Sequence, residues 1–182
     1  MWYGEAKRIY LVPFGRLPES LLEVLREGLQ KRYGKETALA PALALPRFAY
    51  RAERQQCNST AILEGLTREA RDLLSQGMVL AILECDLYAG GLNFVFGEAD
   101  PVEGAAVISL ARLREEFYGK APDWELLLDR ATKEAVHEVG HLYGLSHCPE
   151  RRCVMHFSNS LGDTDYKSAD FCPNCKAGLN II

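Results

Sequence analysis

The sequence predicts an α/β protein in which a helix-flanked mixed sheet is followed by a metal-rich segment with little regular structure. Short apolar runs alternate with amphipathic helical patterns up to residue 144. A length of 182 residues suits one globular domain with a hydrophobic core. All four histidines and four of the six cysteines lie after residue 136. We therefore expect one domain over residues 1–182, with the sheet and helices in 1–144 and the metal-rich segment in 145–182.

A β-α-β unit opens the chain. The apolar run within Lys7–Phe14 predicts a buried strand, and Pro18-Glu19-Ser20 begins a helix that closes at Gly34. The stretch Thr37–Leu45 predicts a second strand. Such a unit implies parallel pairing through a right-handed crossover.

A second helix and three further strands follow. Asn58-Ser59-Thr60 supplies cap residues for a helix that reaches about Ser75, and this cap is favoured over the glycosylation sequon that the same triplet forms. Met78–Leu83 is apolar throughout, which indicates a central strand. Leu92–Gly97 and Ala105–Leu110 predict two more short strands.

The last long helix begins at Pro122-Asp123-Trp124, where proline and an acidic residue are favoured. It is expected to run to about Tyr143 and to end at Gly144. Loops, turns and one short helix after Cys172 should follow it.

This helix carries the motif His137-Glu138-Val139-Gly140-His141. Residues four apart lie on one helix face, so both imidazoles can reach one metal ion. Glu138 is rotated about 100° from His137 around the helix axis. It can stand beside a metal-bound water without binding the metal, which is the position of a general base.

Six further residues extend the motif to H-E-x-x-H-x-x-G-x-x-H. A straight helix would carry His147 to a different face from His141. Gly144 can adopt a left-handed conformation, so the chain can turn back and return His147 to the metal as a third ligand. Three histidines and an open fourth position are typical of a catalytic zinc. The alternative is a helix with unrelated polar residues near its end.

Four cysteines form a second cluster, in which Cys148-x4-Cys153 is followed by Cys172-x2-Cys175. Two such pairs suit a closed tetrahedral zinc site, which would be structural because no ligand position stays open. Two zinc ions per chain are therefore expected. Two disulfides or free thiols are the alternatives for the cysteines. The chain begins without a secretion signal, so a reducing, cytoplasmic location is expected.

Composition limits the partners. A formal net charge of −4 disfavours nucleic acid, which selects basic surfaces, and this also weighs against a zinc-knuckle RNA binder. The sequence contains no stretch of eighteen or more apolar residues, so no membrane span is expected. We expect a monomer that acts on a peptide or protein substrate.

Several other reactive side chains are expected to have ordinary structural roles. Cys57 and Cys85 have no partner at ligand spacing and are predicted to be plain thiols. His156 is expected to serve packing. Asp163 and Asp165 are expected to be solvated loop carboxylates.

The zinc motif followed by Met155 resembles the metzincins, a clan of zinc metallopeptidases in which a Met-turn places a methionine beneath the metal-binding histidines. The C-x4-C pair, the methionine two residues after it and the distal C-x2-C resemble the archaemetzincin family in particular. Further agreements with that family are Asn93–Gly97, Phe157, Ser160, Asp165, Lys167 and Phe171.

The resemblance implies the metzincin fold, a twisted mixed five-stranded sheet with one antiparallel edge strand above a horizontal cleft. Its flanking helices would include the active-site helix, and a zinc-stabilised segment would end the domain. Leu92–Gly97 would be the edge strand, and an extended substrate would pair with it.

The predicted function is zinc-dependent peptide hydrolysis, with Glu138 as general base and a water on the zinc that the three histidines hold. The alternative is a catalytically silent or narrowly specific zinc-binding or peptide-binding protein that retains the metzincin framework. Spacing supports no second electrophile, although Tyr143, Tyr166 and Lys167 are conceivable.

Overall fold

The computed structural model describes residues 8–179, which form eight strands and six α-helices. In chain order they are β1 (Arg8–Pro13), α1 (Glu19–Tyr33), β2 (Glu36–Leu39), β3 (Tyr50–Arg51), β4 (Gln56–Asn58), α2 (Ser59–Glu69), α3 (Arg71–Leu74), β5 (Met78–Leu83), β6 (Leu87–Tyr88), β7 (Gly97–Asp100), β8 (Ala105–Ser109), α4 (Trp124–Leu142), α5 (Leu161–Tyr166) and α6 (Pro173–Gly178). Lys7, the first residue of the first predicted strand, lies outside the described residues. No helix within residues 8–179 is both long and apolar enough to cross a membrane.

Five strands form one mixed sheet in the order β2-β1-β5-β8-β7. β1, β2, β5 and β8 run parallel, whereas β7 runs antiparallel to β8 at the end of the sheet. Every residue of the central strand β5 is buried, as its uninterrupted apolar sequence predicts. The predicted fold class and the parallel β-α-β opening are confirmed.

The two faces of the sheet enter separate apolar cores. Ile9 and Leu11 of β1 pack in a core that contains the apolar faces of α1 and α4. Tyr10 and Val12 pack in a second core with α2. Successive strand side chains point to opposite faces, so an apolar strand needs helices on both sides. This packing sets α4 against β7 and β8, where the functional site forms.

The helix starts follow the predicted caps. The Asn58 side chain accepts a hydrogen bond from the Ala61 amide at 2.9 Å, which confirms the cap at the start of α2. The helix that was expected to reach Ser75 is divided, because Ala70 leaves the helical region at φ −103° and ψ 22°. Asp123 caps α4 by accepting the Leu126 amide at 3.0 Å.

The second strand is shorter than predicted. β2 ends at Leu39 rather than at Leu45. Pro41 and Pro46 lie beyond it, and proline lacks the N–H group that a strand ladder needs. The backbone instead makes an isolated parallel bridge between Leu43 and Phe14.

The antiparallel edge strand is Gly97–Asp100, so the prediction of Leu92–Gly97 was wrong. Residues 92–96 lie beside a small sheet in the order β3-β4-β6, where Val95 bridges Leu87. The Val95 amide donates to the Leu87 carbonyl at 3.0 Å. The chain joins the large sheet just beyond this bridge, because the Ser109 amide of β8 donates to the Phe96 carbonyl at 2.8 Å and β7 begins at Gly97.

The C-terminal segment contains two short helices, α5 and α6, where one was expected. Ser160 and Asp163 form a reciprocal capping box at the start of α5. The Asp163 carboxylate accepts the Ser160 amide at 3.0 Å. Asp163 is therefore a helix-capping residue, and its expected role as a solvated loop carboxylate was wrong.

Candidate active site and metal centres

The end of α4 presents three histidines to one point. His137 and His141 lie one turn apart on α4, which ends at Leu142. Gly144 has φ +84°, a left-handed conformation that glycine adopts at little cost. The chain reverses there, and the Leu145 amide donates to the Gly140 carbonyl at 3.1 Å. This turn brings His147 back to the other two histidines.

The three imidazoles converge closely. One ring nitrogen from each of His137, His141 and His147 lies within 4.8 Å of the other two. The Nε2 atoms of His137 and His141 are 3.1 Å apart. A tetrahedral zinc with Zn–N bonds of 2.0–2.1 Å would hold such nitrogens about 3.3 Å apart. The spacing therefore fits a shared zinc ion.

Backbone carbonyls orient two of these rings. His137 Nδ1 lies 2.8 Å from the Val154 carbonyl oxygen, and His141 Nδ1 lies 2.7 Å from that of Leu145. A proton on each Nδ1 leaves the Nε2 lone pair free for a metal. Burial lowers the pKa of all three histidines, which favours the neutral form that binds a metal.

Glu138 is buried beside these rings and packs against the edge strand. A Cβ added at Gly97 would lie 2.6 Å from both Cγ and Oε1 of Glu138. Only glycine therefore leaves room for the carboxylate at this position. Burial raises the pKa of Glu138 well above its usual range, Glu134 raises it further, and the Lys167 ammonium lowers it.

A cleft of about 770 Å³ opens over the histidines. Its lining includes residues 92–97, which we call the cleft wall, together with residues 144–147 and 157–159. The Ser158 hydroxyl lines the cleft and has no hydrogen-bond partner among the described residues. Tyr143, Tyr166 and Lys167 are not among the lining residues, so the structure gives no support for them as a second electrophile.

The four clustered cysteines also converge. The sulfur atoms of Cys148, Cys153, Cys172 and Cys175 lie within 4.8 Å of one another, and those of Cys148 and Cys172 are 3.8 Å apart. Zn–S bonds of 2.3 Å in a tetrahedron require about 3.8 Å between sulfurs, whereas a disulfide requires about 2.05 Å. The spacing fits a zinc ion, and all four cysteines are free thiols in the structure.

Backbone amides stabilise the thiolate forms of this cluster. The Cys175 amide donates to Cys172 Sγ at 3.5 Å, and the Cys172 amide donates to Cys153 Sγ at 3.3 Å. The first of these bonds is the main cause that lowers the pKa of Cys172 to about 7. Zinc binds the deprotonated thiolate form of cysteine, so a lowered pKa favours zinc binding by Cys172.

Met155 packs directly beneath the histidine helix. The side chain is fully buried, and a Cβ added at Gly140, between the two helical histidines, would overlap its sulfur. The Met155 carbonyl accepts the Cys148 amide at 2.9 Å, which closes the loop between them. His156 lies beside this loop, with Nδ1 2.9 Å from the Cys148 carbonyl oxygen, as expected for a packing residue.

The sequence pattern did not reveal a buried ion pair next to the site. Lys167 Nζ lies 3.0 Å from Glu134 Oε1, and both side chains are almost completely buried. The Thr164 hydroxyl also donates to Glu134 Oε1 at 3.1 Å. Glu134 precedes Glu138 by one helical turn, so this contact ties α5 and Lys167 to α4 beside the candidate general base. In the sequence, the only sign of a role for Glu134 is its place four residues before Glu138, on the same face of α4.

A second ion pair corrects the expectation for Asp165. Its carboxylate makes two hydrogen bonds to the Arg130 guanidinium, at 2.6 and 2.8 Å. Arg130 is buried on α4, whereas Asp165 is exposed, as expected, but lies on α5 rather than in a loop and docks that helix on α4. The two hydrogen bonds from the Arg130 guanidinium hold α5 against α4.

Comparison with known proteins places the chain in a family. A model of peptidase family M54 matches residues 37–180. The archaemetzincin of Pyrococcus furiosus is 45% identical over 172 residues, covering 92% of this chain and 89% of that protein. The archaemetzincin of Methanocaldococcus jannaschii is 44% identical over 168 residues, covering 92% and 90%.

Solved structures agree with the sequence relatives. The archaemetzincin of Archaeoglobus fulgidus, solved as a complex with malonate, is 40% identical with a TM-score of 0.79, and the match covers 94% of this chain and 99% of that one. A zinc-dependent peptidase from Methanocorpusculum labreanum is 30% identical with a TM-score of 0.87 and the same coverage. The family model and these relatives cover most of the chain, and the chain therefore belongs to peptidase family M54, together with the archaemetzincins.

Proposed function

We propose that this chain is a zinc-dependent peptidase that hydrolyses peptide bonds in its cleft, with residues 1–182 acting as one catalytic domain. The convergence of His137, His141 and His147 at a cleft that Glu138 also lines carries the proposal. Membership of peptidase family M54 and likeness to a zinc-dependent peptidase support it.

The three histidines would hold the catalytic zinc, which when bound lowers the pKa of a water and polarises the peptide carbonyl. Glu138 accepts a proton from the attacking water and then transfers it to the leaving amine. The glycine at position 97 lets the Glu138 carboxylate lie against β7. This contact restricts the positions from which the carboxylate can accept the proton of the attacking water. Carbonyl contacts to His137 and His141 keep their rings oriented.

An extended peptide would bind along β7. This strand is last in the sheet order, and Glu98 and Ala99 of β7 line the cleft. A peptide that adds a strand there gains main-chain hydrogen bonds without regard to sequence. Leu92 and Phe94 also line the cleft, so apolar side chains of the substrate would pack against the cleft wall.

The four cysteines would hold a second, structural zinc. Cys148 directly follows His147, and Cys175 belongs to α6. A zinc shared by these residues ties the loop after the third histidine to the end of the chain. Loss of this zinc should therefore loosen the position of His147.

Metal analysis tests both sites. We expect two zinc ions per chain in the wild type, one in a His141→Ala variant and one in a Cys172→Ser variant. The Cys172→Ser variant should also cleave peptides more slowly, because His147 is less firmly held. Unchanged cleavage in that variant, with its structural zinc gone, would contradict the proposed link between the sites.

A peptide-library cleavage assay tests the general base. Glu138→Gln preserves the shape of the side chain and removes its basicity, so the variant should keep both zinc ions and lose cleavage. Glu125→Gln is the matched control, since Glu125 is an exposed residue in the first turn of the same helix. Absence of cleavage by the wild type with both zinc ions bound would favour a catalytically silent binding protein instead.

A further inference from the structure

Two cysteines outside both metal clusters lie side by side. Cys57 belongs to β4, and Cys85 follows β5. The Asp86 carbonyl oxygen accepts the Cys57 amide at 2.8 Å and lies 3.6 Å from Cys85 Sγ. Both side chains pack against the same apolar core beneath α2, and Cys57 is the neighbour that most affects the pKa of Cys85. Both are free thiols, as predicted, and the fold brings them next to each other.

The two thiols differ in accessibility and acidity. Cys57 is completely buried, whereas Cys85 is half-buried and reaches the surface. The hydrogen bond from Cys57 lowers the pKa of Cys85, and the same bond raises the pKa of Cys57. Cys85 is therefore the sulfur that a dissolved oxidant can reach in its reactive thiolate form, with Cys57 directly behind it.

We propose that Cys57 and Cys85 form an oxidisable dithiol that a hydroperoxide converts to a disulfide. The Cys85 thiolate attacks the peroxide, so an S–O bond forms, the O–O bond breaks and hydroxide leaves. The Cys57 sulfur then attacks the Cys85 sulfenic acid. An S–S bond forms, the S–O bond breaks, and the departing oxygen leaves as water with the Cys57 proton. Two electrons pass from the pair of thiols to one peroxide.

The neighbours of this dithiol hold the cleft wall. The Gln56 side-chain amide donates to Asp86 Oδ2 at 2.8 Å and to the Asn93 carbonyl at 3.0 Å. The Arg112 guanidinium pairs with Asp86 and lies 4.3 Å over the Phe94 ring. A disulfide requires sulfurs about 2.05 Å apart, much closer than hydrogen-bonded thiols. Forming the bond therefore draws the two sulfurs together beside Gln56, whose side chain contacts the cleft wall at Asn93.

Peptide mapping of the full-length, zinc-loaded protein tests the proposal. The protein is treated with a few equivalents of hydrogen peroxide, its free thiols are alkylated, and it is digested with trypsin without reduction. Cys57 falls in peptide 55–68 and Cys85 in peptide 72–112. We expect these two peptides to appear cross-linked, lighter than their sum by two hydrogen atoms, and to separate on addition of dithiothreitol. Zinc content measured in parallel should stay at two ions per chain.

Two variants assign the roles within the pair. In Cys57→Ala no cross-link can form, so Cys85 should accumulate as a sulfenic acid that dimedone traps. In Cys85→Ala the buried Cys57 should stay reduced and become alkylated only after unfolding. The proposal is overturned if wild-type Cys85 proceeds to sulfinic acid without cross-linking. It is also overturned if both thiols stay reduced while the zinc-cluster cysteines oxidise and release their metal.

Discussion

Replacing Lys167 with methionine should strongly destabilise the protein. The Lys167 and Glu134 side chains are 0% and 4% exposed, and their charged atoms lie 3.0 Å apart. Methionine keeps the length of the lysine stem but leaves the Glu134 carboxylate buried with the Thr164 hydroxyl as its remaining side-chain partner. Removing one partner of a buried ion pair typically costs about 3–5 kcal/mol. We expect Lys167→Met to lower the free energy of unfolding by that amount.

Urea unfolding of the zinc-loaded protein measures this loss, and a double-mutant cycle isolates its cause. Glu134→Gln combined with Lys167→Met removes both charges, and the glutamine can still accept a hydrogen bond from Thr164. The double variant should therefore be more stable than Lys167→Met alone. Additive losses would show that the ion pair is not the source of the effect.

An exposed ion pair supplies the control. Arg8 Nε lies 2.8 Å from Glu36 Oε2, and the two side chains are 47% and 59% exposed. Arg8→Met should cost less than about 1 kcal/mol, because water already screens such a pair. If Lys167→Met also lowers the free energy of unfolding by less than about 1 kcal/mol, burial does not govern the cost of breaking an ion pair in this protein.

Two glycine substitutions test the packing around the site. Gly97→Ala places a Cβ 2.6 Å from Glu138 Oε1 and 2.7 Å from the Val107 carbonyl oxygen of β8, so both the carboxylate and the edge of the sheet must shift. We expect kcat to fall by about 100-fold and the free energy of unfolding to fall as well, with zinc content unchanged; a wild-type kcat would contradict the proposed role of the contact with Glu138. Gly140→Ala overlaps Met155 and should lower the unfolding free energy in urea by about 1–3 kcal/mol. Gly162→Ala is the control for both measurements, since its Cβ would meet the nearest atom at an ordinary 3.6 Å.

Much of the fold could be predicted from local patterns. The unbroken apolar run of β5 indicates a strand buried on both faces, and the structure places it at the centre of the sheet. Asn58 and Asp123 mark helix starts. A capping side chain accepts a hydrogen bond from a backbone amide only two or three residues further along, so the local sequence is enough to predict the cap. The bounds of β7 could not be predicted, because they depend on where Val95 finds Leu87 in another part of the chain.

Local spacing along the chain predicts which residues can meet at a metal. A spacing of four residues on a helix, and a glycine that can reverse the chain, place His137, His141 and His147 within reach of one another over eleven residues of sequence. The cysteine pairs follow the same logic, because each pair is separated by only a few residues. Such short-range geometry is largely independent of the rest of the fold.

The surroundings of those residues depend on long-range packing, which local spacing does not predict. Lys167 meets Glu134 across 33 positions of sequence, and Cys57 meets Cys85 across 28, through chain paths that no local pattern specifies. The glycine at position 97 has meaning only once β7 is packed against the helix that carries Glu138. Long-range contacts depend on how whole helices and strands pack. The local sequence around a buried residue does not specify which distant residue becomes its partner, because several residues of suitable charge or size could fill that role.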